Sequence, residues 1–237
     1  MKSIRKIIIF VLLISTGKPN PPFNINEKLE FSVNFNSIPV GKAELNVNSL
    51  ELINNKQTYL VSFIANTEGL ADRLFKIRDS IQLWIDEKEF YTHKVNKIIN
   101  EGLYKKKSKI TFNYDDSIVV INDNEKIKLP FRSWDPFSMF YYLRTIALIN
   151  ENILSFDYFN GVKKINYKLI VSGKEEIKSK IGSFNCYIVK PFHQGKNLLK
   201  NEGDMKIWIS DSEKRLPIKI QIKMKFGSMK LDLISVN

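Results

Sequence analysis

The sequence predicts a mainly β fold, one curved antiparallel sheet of about a dozen strands wrapped over an apolar filling, with one main helix. Three observations carry this. Leu216, Ile218, Ile220, Ile222, Met224 and Phe226 alternate with Pro217, Lys219, Gln221, Lys223 and Lys225, a period of two that marks a strand with one dry face. Similar runs, punctuated by turn residues, recur along most of the chain. Only one segment, about 135–148, has the length and composition of a solid helix.

The elements follow in order. Leu29, Phe31, Val33 and Phe35 alternate with polar neighbours in a first strand, and after Pro39-Val40-Gly41 the residues Ala43, Leu45 and Val47 continue in a second. Residues 58–66 are apolar on both parities, as expected for a strand inside a packed layer. Residues 68–75 accommodate one or two helical turns with Leu70 and Leu74 on one face. Strands are then expected over 77–85, 90–99, 103–114, 117–121 and 126–129. Asn122-Asp123-Asn124-Glu125 lacks the spacing and central Gly of a calcium loop and reads as a polar hairpin turn.

The helix opens at Trp134-Asp135-Pro136-Phe137, with Asp135 or Ser133 as N-cap and Pro136 suited to the first helical position. Its Phe137, Phe140, Tyr141, Arg144 and Leu148 lie near one stripe, widened by Met139, Tyr142, Leu143 and Ile146, so much of its circumference should be covered, and it reads as a plug packed on the concave face of the sheet ahead of a direct ligand role. Asn160-Gly161 then marks a hairpin, Lys180-Ile181-Gly182-Ser183 turns into the strand carrying Cys186, and a meander turning at Gly227-Ser228 closes the domain.

Lys2, Arg5 and Lys6 precede an apolar run from Ile7 to Ile14 and the small residues Ser15-Thr16-Gly17, the form of a secretory signal peptide cleaved after Gly17. The run is short for a bilayer span, so an uncleaved anchor is the lesser alternative, and no Cys follows it to carry a lipoprotein anchor. The expected product is a periplasmic monomer with an extended lead-in at 18–23 and a single domain over 24–237. Its one cysteine, Cys186, excludes an intrachain disulfide and reads as a buried structural thiol. Losing the leader's three cations takes the net charge from +12 to +9. Most of that charge is Lys, in a chain rich in Ile and Asn, and no Arg-rich or RNP-like motif accompanies it, so nucleic acid is not the expected partner.

No catalytic constellation stands out. His93 and His193 belong to no metal-ligand spacing, there is no Gly-x-Ser-x-Gly elbow or phosphate loop, and Asp115-Asp116 reads as a turn. No cofactor, no metal and no enzymatic activity are expected, with an unrecognised hydrolase built from sequence-distant residues as the third reading.

The opening Phe-x-Val-x-Phe, Pro39-Val40-Gly41-Lys42-Ala43, the helix from Trp134 to Arg144, and Ile207-Trp208-Ile209-Ser210-Asp211 with Arg215-Leu216-Pro217 resemble the exported bacterial family called domain of unknown function 3108. The resemblance spans nearly the whole mature chain. It implies a relative of the lipoprotein carriers LolA and LolB, whose half-barrel sheet holds helices on its concave face, and hence an envelope location and an apolar cavity. Such a cavity would be lined by Phe31, Phe35, Phe63, Trp134, Phe137, Phe140 and Tyr141, with Arg144 at its mouth for a phosphate or carboxylate headgroup. The structural alternative for Arg144 is a salt bridge or snorkelling to water. Trp84 and Trp208 fall on the polar parity of their strands and are either exposed contacts or signs that both sheet faces are covered. The leading expectation is therefore binding of a lipid, acyl chain or lipidated peptide, since a dozen buried methylenes supply on the order of 10 kcal/mol before ordering costs. The alternative is an envelope interaction protein with a filled core, whose lysine-rich face meets a partner or an anionic membrane surface.

Overall fold

Fourteen strands form one antiparallel sheet in a computed structural model that describes residues 20–192, 205–225 and 227–237. The expected leader, His193 and Phe226 lie outside the described residues. In chain order the elements are β1 (Lys28–Phe35), β2 (Ile38–Ile53), β3 (Lys56–Thr67), α1 (Gly69–Leu74), β4 (Arg78–Asp86), β5 (Thr92–Glu101), β6 (Tyr104–Asn113), β7 (Ile118–Ile121) and β8 (Glu125–Lys128). Then come α2 (Pro136–Thr145), β9 (Ile153–Phe159), β10 (Lys164–Ser179), β11 (Gly182–Phe192), β12 (Met205–Ser210), β13 (Pro217–Met224) and β14 (Gly227–Val236). Spatially the strands run β8-β7-β6-β5-β4-β3-β2-β1-β14-β13-β12-β11-β10-β9, two meanders joined where β1 pairs with β14.

The sheet stays open, because β8 and β9 do not pair with each other. The chain between β8 and α2 bridges the gap instead. Ser133 accepts the Thr92 amide on its carbonyl and the Phe159 amide on its Oγ, at 2.8 and 2.9 Å, and Trp134 donates its own amide to Asp157 at 2.8 Å. Phe112 and Val119 from one meander pack with Phe159 from the other beneath this seam.

α2 enters the concavity so formed. Asp135 caps it, accepting the Phe137 amide at 3.0 Å while Ser138 Oγ accepts the Asp135 amide at 2.8 Å, a reciprocal capping box with Pro136 at the first turn. The helix is shorter than the expected 135–148. Ile146 is already extended, and Leu148 joins Met139, Leu143, Phe156 and Leu169 in a side cluster rather than completing another turn. The packed fold also begins earlier than expected, since Phe23, assigned to the lead-in, sits in the core with its ring 4.9 Å from Tyr141 and 5.4 Å from Tyr59.

Two turns differ from their sequence reading. The β9–β10 loop holds four residues, 160–163, because Asn160 Oδ1 accepts the amides of Val162 and Lys163 at 2.9 Å and so widens the turn. The β13–β14 turn does not fall at Gly227-Ser228, since Gly227 is already paired to Met224 and Ser228 to Lys223. The two tryptophans decide between their alternatives: both faces of the sheet are covered. Trp84 donates to Glu51 at 2.6 Å under the Lys94 ammonium, Trp208 donates to Glu175 at 3.2 Å, and both are buried.

Candidate functional site

Of the eight residues expected to line a cavity, Phe31, Phe63, Trp134, Phe137, Phe140 and Tyr141 pack in one cluster of helix and sheet and Arg144 lies on the same helix, while Phe35 stands apart. Phe31, Phe140 and Tyr141 are buried, Phe63 lies 4.9 Å from Phe137, and Trp134 packs on Tyr142 and Phe156 at 5.1 and 5.0 Å. Phe35 sits at the end of β1 against Gly227, where a Cβ would come within 2.6 Å of its ring. Trp134 borders a crevice of about 10 Å³, room for no more than a water. Phe23, Tyr59 and Phe90 complete the packing on the sheet side.

Arg144 is not at a mouth. Its side chain is 0% exposed and holds Glu27 with two bonds of 2.6 and 2.9 Å, while Lys214 and Pro22 offer carbonyl oxygens at 3.1 and 3.4 Å. A guanidinium so engaged ties α2 to the entry of β1 and is unavailable to a headgroup; of the two readings drawn from the sequence, the salt bridge is the one the structure contains. Cys186 is likewise buried, and burial pushes its thiol up to about 12.

The chain exposes apolar side chains elsewhere. α1 buries none of its residues. Leu70 and Leu74 are 76% and 87% exposed, Phe75 follows at 53%, and Leu103, at the tip of the adjoining β5–β6 turn, is fully exposed. The two tips touch: the Gly102 amide donates to Lys76, and a Cβ at Gly102 would meet the Phe75 ring at 2.8 Å. Between α1, the β1–β2 turn and the β10–β11 turn runs an open groove of about 780 Å³ lined by Ile38, Val40, Leu70, Leu74 and Lys180. Exposed Lys42, Arg73, Lys76, Lys105, Lys106 and Lys107 flank this rim, with Tyr104 half exposed beside Leu103.

The rim is braced by polar contacts rather than by core packing. Arg78 donates to both oxygens of Asp72 at 2.6 and 3.0 Å, and Thr67 donates to the same carboxylate at 2.7 Å; these bonds hold the Asp72 carboxyl below its ordinary range. Nearby, burial and the proximity of Asp79 raise Glu101. Sequence reasoning found the α1 turns and the shared Leu70/Leu74 face, and missed that this face points to solvent. No signal within Leu-Ala-Asp-Arg-Leu-Phe-Lys could have shown it, since an apolar stripe reads the same whether or not another element covers it.

Among the described residues no three His, Cys, Asp or Glu side chains gather as metal ligands, and no helix is long and apolar enough to cross a membrane.

A fold of this kind occurs in a β-barrel-like protein of domain of unknown function DUF1849 from Brucella abortus, 8% identical over 90% of this chain and 97% of that one, with a TM-score of 0.57. Looser likenesses link it to a hypothetical protein of Chlamydia trachomatis, 8% identical over 90% and 87% of the two chains at a TM-score of 0.42. A candidate exported protein with a YmcC-like fold from Bacteroides fragilis is 8% identical over 91% and 97%, at 0.41. No curated protein matches the chain. The family model described as a protein of unknown function, DUF3108, matches residues 30–234, the span from β1 to the last strand that carries both the capped α2 and the closing meander, and the chain belongs to that family.

Proposed function

We propose that this is a non-catalytic exported protein of the cell envelope that holds an anionic membrane surface through the α1 rim, with acyl chain ends entering the adjoining groove. The observation that carries the reading is the gathering of Leu70, Leu74, Phe75 and Leu103 on touching turn tips, exposed and flanked by exposed Arg73, Lys76, Lys105, Lys106 and Lys107. An apolar patch ringed by Lys and Arg matches the interface of a bilayer, where the apolar tips reach the acyl boundary and the ammonium groups meet phosphates. Each apolar tip contributes about 1.5–3 kcal/mol if fully buried and each Lys about 1 kcal/mol at an anionic leaflet. Together they exceed a docking cost of several kcal/mol. The filling of the concavity by α2 supports placing the lipid contact at the rim rather than between helix and sheet.

Sedimentation with vesicles tests the reading. Phosphatidylglycerol vesicles should retain the protein, phosphatidylcholine vesicles should retain far less, and L70E/L74E should lose retention while keeping its thermal transition, since both side chains are exposed. Equal retention of L70E/L74E, or no retention of the parent chain by phosphatidylglycerol, overturns it.

A further inference from the structure

At the end of the sheet opposite α1, the β2–β3, β4–β5 and β6–β7 turns and the strap after β8 border a pocket of about 300 Å³. Its walls combine Tyr91, Tyr114 and Phe131 with Lys56, Asp115 and Arg132. Tyr91 and Tyr114 meet edge to face at 5.0 Å, and the Arg132 guanidinium lies 4.7 Å over the Tyr91 ring. The floor is rigid. Buried His93 pairs with Asp86 through Nε2 at 3.2 Å, and Tyr114 accepts the Ser133 amide at 3.2 Å while donating to the Thr92 carbonyl at 2.5 Å.

The charges around the pocket cancel in pairs. Arg132 is held by Glu89, and Lys56 faces Asp115 at 3.8 Å. Among the described residues no uncompensated cation lines the pocket to select an anion, and no carboxylates gather there to select a metal. What remains is a set of donors and acceptors of both kinds at the mouth, on side chains half exposed or more, beside aromatic walls. Hydroxyls that both donate and accept, on a ring with an apolar C–H face, match that lining.

We infer that this pocket is a saccharide-binding site, taking a neutral sugar whose ring lies against the partly exposed rings of Tyr114 and Phe131, with buried Tyr91 and the Arg132 over it as backing, and whose hydroxyls exchange with the Arg132–Glu89 and Lys56–Asp115 pairs. Those pairs are exposed and weakly coupled, so opening them costs little. The site lies away from the rim, leaving it accessible to a glycan while the other end is engaged.

The chain has only two histidines, so the imidazole resonances of His93 are readily assigned and report the pocket floor. Glucose, galactose and N-acetylglucosamine, each titrated to about 50 mM, should give for at least one sugar a saturable shift of His93 with a Kd of about 1 mM. R132A should weaken that binding about tenfold with an otherwise unchanged spectrum, and L70E/L74E should leave it intact, which separates this site from the rim. Absence of a saturable His93 shift with all three sugars, or a response to inorganic phosphate alone, overturns the inference.

Discussion

Arg144 carries the sharpest conflict between charge and burial in the molecule, and Glu27 resolves it. Removing one partner of a buried pair leaves the other uncompensated, so R144A should lower unfolding stability by about 3–5 kcal/mol in urea titration, whereas R144M/E27L should recover much of that loss. The helix stripe bearing Arg144 was readable in sequence; its partner, 117 positions away, was not, because nothing local distinguishes Glu27 from other acidic residues. Asp86 is a second such case. Burial opposes its charge, but the hydrogen bonds from His93 and the Lys88 amide outweigh it and hold the carboxyl below 3.8. A lowered carboxyl adds stability above its unfolded pKa and loses it as pH falls through the folded value. D86N should therefore flatten the acid limb of the stability curve below about pH 4, read by thermal melts across pH.

At the scale of elements, α2 shows how much of the fold was locally encoded. Its capping box comes from Asp135, Pro136 and Ser138, all within four residues, and its start was read correctly. D135A removes the cap and the 3.3 Å contact to Lys97, and should cost about 1–2 kcal/mol in chemical denaturation. The helix end was not encoded that way: Leu148 leaves the helical path for a cluster built by β9 and β10. Gly41 is a related case in the sheet. A Cβ there would meet the Asn66 carbonyl oxygen at 2.1 Å, so β2 and β3 approach too closely for any side chain. G41A should destabilise by about 1–3 kcal/mol, measured by urea unfolding, through overpacking of that strand pair.

At the scale of the whole molecule, the strap from Leu129 to Asp135 holds the two meanders as one body, and Ser133 is its central residue. S133A strips the acceptor from the buried Phe159 amide, so it should cost about 1–3 kcal/mol and raise hydrogen exchange along β9 while sparing β1 and β14. Unchanged exchange at Phe159 would mean that the edges hold without the strap. The same long-range order separates the α1 rim from the Tyr91 pocket, since alternate turns of an antiparallel meander fall at opposite ends.

By itself the sequence determined the fold class, most strand positions, the start of α2 and the face that each alternating strand turns inward, because all of these rest on periodicity and on chemistry within a few residues. The tertiary structure alone decided which strands the aromatic helix packs against, that Arg144 serves Glu27, and that Leu70 and Leu74 face solvent. It also brought Tyr91, Tyr114 and Arg132 into one pocket. Each of those outcomes depends on which distant strand supplies the neighbouring surface, and a period of two states that a face is apolar without stating what will cover it.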